Sequence, residues 1–141
     1  MQQQISIILV DDHEAVRDSW EFLLNRDARF NVIGQCRNGA EAIEQAQALN
    51  PDVMLMDINM SPVNGFEATQ AIVANSPSVK IIGLSANNHP TYADKILGLG
   101  AMGFVTKSST FDELTRAIVH VHGGGSYICD EIKAATAFKR E

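Results

Sequence analysis

Four apolar runs in this chain end abruptly in residues that carry chemistry. Ile7-Ile8-Leu9-Val10 leads into Asp11-Asp12, and Val53-Met54-Leu55-Met56 into Asp57. Ile81-Ile82-Gly83-Leu84 leads into Ser85, and Gly103-Phe104-Val105-Thr106 into Lys107. Near-continuous apolar runs of this length read as buried parallel strands. They predict strands over 5–10, 52–56, 80–84 and 103–105. A less apolar run over 31–36 suits an edge strand.

The stretches between these runs carry helical period. Val16, Trp20 and Leu23 recur at i, i+4, i+7. Ala42, Ile43, Ala46 and Leu49 follow Asn38, a cap-type residue; Phe66, Thr69 and Ile72 follow Asn64-Gly65. Tyr92, Ile96 and Leu99 follow Pro90, a good first-turn residue. Phe111, Leu114, Ile118 and Val121 follow Ser109-Thr110, with Glu113 spaced for a capping box. Asn50-Pro51, Ser76-Pro77, Gly98 with Gly100, and Gly123-Gly124-Gly125 read as stops. Strand and helix alternate five times, which implies parallel βαβ units with right-handed crossovers and helices on both faces.

Gly123-Gly124-Gly125 marks a boundary between residues 1–123 and a tail, 124–141. In the tail, Asp130 caps a short helix predicted over 131–139. Its narrow stripe of Ile132, Ala135 and Phe138 needs something to pack on, because so short a helix is marginal alone.

Ligands of open α/β sheets sit at the carboxyl ends of the strands. Asp11, Asp12, Asp57, Ser85 and Lys107 therefore converge on one edge. Adjacent carboxylates repel unless a cation is present, and Mg²⁺ favours one or two carboxylates plus a phosphate. A lone Asp-Asp pair is more often a helix cap. Asp57 changes that balance, since an unpaired carboxylate ending a buried strand is expensive. A carboxylate there can act as a nucleophile toward phosphorus. Lys107 can pair with it before reaction and with phosphoryl oxygens afterwards, and the Ser85 hydroxyl can donate to a phosphoryl oxygen.

Composition narrows the class. With 45% hydrophobic and 20% charged residues, a packed core is expected. The net charge of −6 disfavours direct binding of nucleic acid by this segment. Cys36 and Cys129 lack metal-type spacing and read as reduced thiols. With no signal-peptide pattern and no apolar run long enough for a membrane helix, the expectation is a soluble, cytoplasmic protein without membrane contact.

The segments Val10-Asp11-Asp12-His13, Met56-Asp57-Ile58-Asn59-Met60 with Asn64-Gly65, Ser85-Ala86 and Phe104-Val105-Thr106-Lys107 resemble the receiver domain of two-component response regulators over about residues 5–121. Asp11-Asp12-His13-Glu14-Ala15-Val16-Arg17 and Gly123-Gly124-Gly125-Ser126-Tyr127-Ile128 resemble its LuxR/NarL/FixJ branch. The resemblance implies a doubly wound, five-stranded parallel sheet of flavodoxin-like (βα)5 type, strand order 2-1-3-4-5. It implies Asp57 as phosphoacceptor, and Mg²⁺ held by Asp11, Asp12, Asp57 and the Asn59 carbonyl. Ser85 and Lys107 become the phosphate-sensing pair and Phe104 the aromatic switch, packing inward on activation. Asn59 and Asn87 lie where the family tunes its dephosphorylation rate. The implied partners are a sensor histidine kinase and a second copy on activation. DNA would be bound only through a C-terminal helix-turn-helix domain outside this chain. Catalysis would be confined to the chain's own phosphorylation and dephosphorylation.

Three departures stand out. Met60-Ser61-Pro62 carries its proline one place later than many receivers. Ser108 follows the lysine where the family often has proline after a cis bond. Phe104 lacks the hydroxyl of a switch tyrosine. An aspartyl-nucleophile phosphohydrolase needs similar residues but normally places a second acid near the nucleophile, where Asn59 stands here. A nucleotide-binding domain would need a glycine-rich loop after the first strand, where Asp-Asp-His-Glu stands. Of the remaining residues, Trp20, Phe22, Phe66 and Phe111 are assigned to the core and Cys36 to a partly buried structural thiol. His120 and His122 are assigned to a helix C-terminus, and His13, which could cover the metal edge, to a capping or solvent role.

Overall fold

The computed structural model describes residues 3–140, and side chains through residue 135. Phe138 of the predicted tail stripe therefore lies outside the described side chains. The strands are β1 (Ile5–Val10), β2 (Phe30–Cys36), β3 (Val53–Asp57), β4 (Lys80–Ser85), β5 (Gly103–Thr106) and β6 (Tyr127–Ile128). The helices are α1 (Glu14–Asn25), α2 (Gly39–Leu49), α3 (Gly65–Asn75), α4 (Pro90–Gly98), α5 (Phe111–His122) and α6 (Asp130–Arg140). One sheet runs β2-β1-β3-β4-β5-β6, with every neighbour pair parallel.

The burial pattern follows position in the sheet. Every residue of β3 is buried, while β2, at the edge, alternates between buried and exposed over its first half. Ile7, Ile8, Met54, Leu55, Met56 and Ile82 form the dry centre. Such a dry centre is the main source of stability, at roughly 25 cal/mol per Å² of apolar surface removed from water. On one face, Trp20 of α1 stacks on Phe111 of α5, with ring centroids 6.3 Å apart. Elsewhere α3 packs against both α2 and α4.

The local signals act as the sequence predicts at most helix starts. The Asn38 side chain accepts the Glu41 amide, and Asn64 forms a reciprocal capping box with Glu67. Thr110 accepts the Glu113 amide, but Glu113 does not close a box. Its carboxylate accepts instead from the Asp130 amide (2.8 Å) and the Tyr127 hydroxyl (3.0 Å).

Several expectations are corrected. The sheet has a sixth strand, because Tyr127 and Ile128 pair beside Gly103 and Phe104; β5 is not an edge. Asp130 is the first residue of α6, and its amide is taken by Glu113. Phe22 is 62% exposed, because the buried stripe of α1 passes through Leu24, and the Arg26 guanidinium lies 5.4 Å from its ring centre. Cys36 is fully buried, not partly, and burial pushes its thiol up to about 12. Among the described residues the one cis peptide bond is Ser61–Pro62, so Lys107–Ser108 is trans.

Candidate functional site

The parallel sheet brings the ends of β1, β3, β4 and β5 to one edge, and the loops there carry the polar residues inward. Asp57 closes β3 and is 1% exposed. Its Oδ1 accepts the Asn59 amide at 3.1 Å, and its Oδ2 lies 3.3 Å from the Lys107 ammonium. Gly65 fixes this loop: a side chain there would collide with the Asp57 carbonyl and the Ile58 backbone. The Gly65 amide reaches the Ile58 carbonyl at 3.0 Å, so α3 starts tight against the end of β3.

Asp11 follows β1 and is 3% exposed. Its Oδ2 accepts the Lys107 ammonium at 2.8 Å and its Oδ1 the His13 amide at 2.9 Å. Lys107 thus lies between two buried carboxylates and is closer to Asp11. Burial works against the charge of each of the three groups. At Asp11 burial is outweighed by the Lys107 and His13 bonds and the lysine's charge, so the carboxyl titrates below its ordinary range. Asp57 is held above it, first by burial and then by the Asp11 charge, against the opposing Asn59 amide and Lys107. Lys107 is desolvated, yet its two carboxylates hold it above the usual lysine value.

Asp12 is more exposed, and its carboxylate lies 2.9 Å from His13 Nδ1, which is also 3.1 Å from Asp11. One ligand-capable atom from each of Asp11, Asp12, His13 and Asp57 lies within 4.8 Å of the others. His13 occupies the N-cap position of α1 without a side-chain cap bond. It lies over the acidic pair, the alternative placement read from its position after Asp12.

Ser85 ends β4 one step beyond the pairing of Asp57 with Leu84 and is fully buried. Its Oγ accepts the Asn87 amide at 2.9 Å, which leaves the hydroxyl proton free to donate elsewhere. Its carbonyl takes the Lys107 amide at 2.8 Å, tying the two strand ends together. Phe104 is already fully buried, beside Gly83 and the Ile96 side chain. The inward position expected on activation is therefore occupied in this structure. Arg17 was missed by sequence reasoning. From α1 it donates to the Asp11 carbonyl (2.6 Å) and to Gln35 (2.9 Å), bracing the end of β1 against β2. The signal available was a cation on the first turns of the helix that follows the acidic pair.

The fold and this edge define a class. A family model of the response regulator receiver domain matches residues 7–119, and the chain belongs to that family. It is a signalling domain rather than a conventional enzyme. The transcriptional regulatory protein DegU of Brevibacillus brevis is 37% identical over 127 residues, covering 90% of this chain and 54% of that protein. The transcriptional regulatory protein LnrK of Bacillus subtilis is 37% identical, over 97% of this chain and 63% of its own length. The chain thus spans little more than half the length of these curated relatives. A LuxR-family two-component response regulator from Aurantimonas sp. superposes with a TM-score of 0.93 at 30% identity, covering 98% of this chain and 99% of that one. No helix among the described residues is long and apolar enough to cross a membrane.

Proposed function

We propose that this domain is a phosphorylation switch in which Asp57 takes a phosphoryl group from a phosphohistidine of a sensor kinase. The observation that carries the reading is a buried carboxylate at the carboxyl edge of the sheet, flanked by Asp11 and Asp12 and touched by one lysine. An Asp57 carboxylate oxygen forms a bond to phosphorus as the phosphorus–nitrogen bond breaks, and the imidazole leaves with that electron pair. Water later attacks phosphorus and returns free Asp57 and phosphate.

The donor set fits a hard dication: three carboxylates converge, and the Asn59 carbonyl is the further oxygen ligand we assign. When bound, Mg²⁺ neutralises charge on the transferring phosphoryl oxygens. The chain's own residues do the rest. Lys107 supplies a positive charge that can turn from Asp57 to a phosphoryl oxygen. The Ser85 hydroxyl accepts the Asn87 amide and keeps its proton available to donate to a phosphoryl oxygen. Contacts made only in the phosphorylated form supply the differential affinity that shifts the domain between states. Because Phe104 is already inward, the switch we assign to it requires an outward form at other times. The relatives are transcriptional regulatory proteins, and the output we assign on that likeness is pairing of two copies and control of a DNA-binding region outside this chain.

The test is intact mass after incubation with acetyl phosphate and Mg²⁺. One phosphoryl adduct is expected, lost in Asp57→Asn and lost without the metal. An adduct that persists in Asp57→Asn would overturn the assignment.

A further inference from the structure

The tail is built into the domain rather than trailing from it. After the left-handed Gly124, the backbone turns back along β5. The Tyr127 amide bonds to the Met102 carbonyl (3.0 Å) and the Cys129 amide to the Phe104 carbonyl (3.1 Å). Cys129 and Ile132 are fully buried, and α6 packs on α4 and β5. Glu113 of α5 fixes the junction by accepting from both Tyr127 and Asp130.

A second set of bonds runs from this tail to the reactive edge. The Ser108 hydroxyl donates to the Glu131 carboxylate of α6, 3.1 and 3.4 Å from its two oxygens. It also lies 3.2 Å from the Thr106 hydroxyl. Ser108 is the residue after Lys107, whose ammonium is shared between Asp11 and Asp57 and whose amide is fixed to Ser85. Lys107 and Ser108 are adjacent, so the loop that carries the lysine also holds the first turn of α6.

We propose that residues 126–135 form a strap over α4 and β5 that reports the state of Lys107 through the Ser108–Glu131 bond and is released when Asp57 carries a phosphoryl group. This rests on Asp57 being the phosphoacceptor. The phosphoryl group brings nearly two negative charges to within reach of the lysine. Lys107 leaves Asp11 for them, Ser108 moves with it, and Glu131 loses its donor.

Buried Cys129 gives a local readout, with buried Cys36 as an internal control. The chain is treated with N-ethylmaleimide, with and without acetyl phosphate and Mg²⁺. Each cysteine's adduct is followed by peptide mass, and the phosphoryl adduct by intact mass. Phosphorylated chain should alkylate at Cys129 about tenfold faster, the change that follows ~1.4 kcal/mol of lost docking, with Cys36 unchanged. Asp57→Asn should show no response. Ser108→Ala should alkylate fast from the outset and gain little on phosphorylation. A full phosphoryl adduct with unchanged Cys129 alkylation would overturn the strap and leave the phosphoacceptor intact. Equal acceleration at both cysteines would also overturn it, as loosening of the whole domain. Absence of the phosphoryl adduct would sink the phosphoacceptor reading, and the coupling with it.

Discussion

Two buried carboxylates, Glu113 beside the tail and Asp57 at the end of β3, sit in opposite surroundings. Glu113, 7% exposed, receives a hydroxyl and a backbone amide at 3.0 and 2.8 Å. Asp57, 1% exposed, receives one amide at 3.1 Å and a lysine at 3.3 Å that sits closer to Asp11. Glu113 is consumed by structure: its charge organises the turn from α5 into the tail. Asp57 is left under-solvated beside a like charge, and its carboxyl is accordingly held above its ordinary range, by burial first. Under-solvation is what the nucleophilic role we propose for Asp57 needs, and it costs stability that the rest of the domain must offset.

The largest effect should come from removing the group both acids of the reactive edge depend on. Lys107→Ala leaves the Asp11 and Asp57 carboxylates buried without the ammonium they share, and stripping one partner from a buried pair costs on the order of 3 kcal/mol. Urea unfolding at neutral pH should register that loss. The sign with pH follows from Asp11. Its folded value is depressed, so the stability it contributes is present above the ordinary value of 3.8 and lost as pH falls through the lower folded value. The gap between wild type and variant should therefore close on acidification. A gap that persists in acid would mean Lys107 acts by packing alone.

The contrast itself is tested by making the same change at both acids. Glu113→Gln keeps the shape but weakens two bonds to a charged acceptor, and should cost about 1–2 kcal/mol in urea. Asp57→Asn removes a charge the fold disfavours, and should add on the order of 1 kcal/mol. Opposite signs for identical chemistry would sharpen the distinction between a structural and a reactive carboxylate. A loss at both positions would erase it.

How far this was legible in the sequence divides along the same line. Asp11, Asp57, Ser85 and Lys107 could be placed because each follows an apolar run, and a parallel sheet sends all such ends to one edge. The cap at Asn38 was legible because its partner lies three residues away; Asn64 was read only as preceding its helix, although Glu67 stands at the same spacing. Glu113 has the same local spacing from Thr110, but its carboxylate is taken by tail residues 14 and 17 positions on, and that tertiary choice leaves no local signature. The two-residue β6 is too short to register as periodicity, and only its pairing with β5 makes it a strand. Phe22 was misplaced because aromatic character was read as burial. On α1 the inward stripe reaches Leu24, and Phe22 points away from it. The inward ring of Phe104 depends on the space left by Gly83, across the β4–β5 pairing.

The smallest effect tests whether the Glu113 junction persists in solution. Burial, and then the bond to Glu113, push the Tyr127 phenol up to about 12 from an ordinary 10.0. A raised folded value means the neutral phenol is favoured by folding. The corresponding stability is complete below 10.0 and is lost as pH rises toward about 12. Phenolate absorbance followed against pH, with Tyr127→Phe subtracted to isolate this residue, should show its titration delayed to that upper range. In Glu113→Gln the carboxylate's charge is gone while burial stays, so the midpoint should fall without reaching the ordinary value. A wild-type Tyr127 that titrates at the ordinary value would mean the phenol is not held on Glu113. Glu113 would then keep only the Asp130 amide, against the Asn59 amide and Lys107 at Asp57, and saturation by hydrogen bonds would no longer distinguish the two acids.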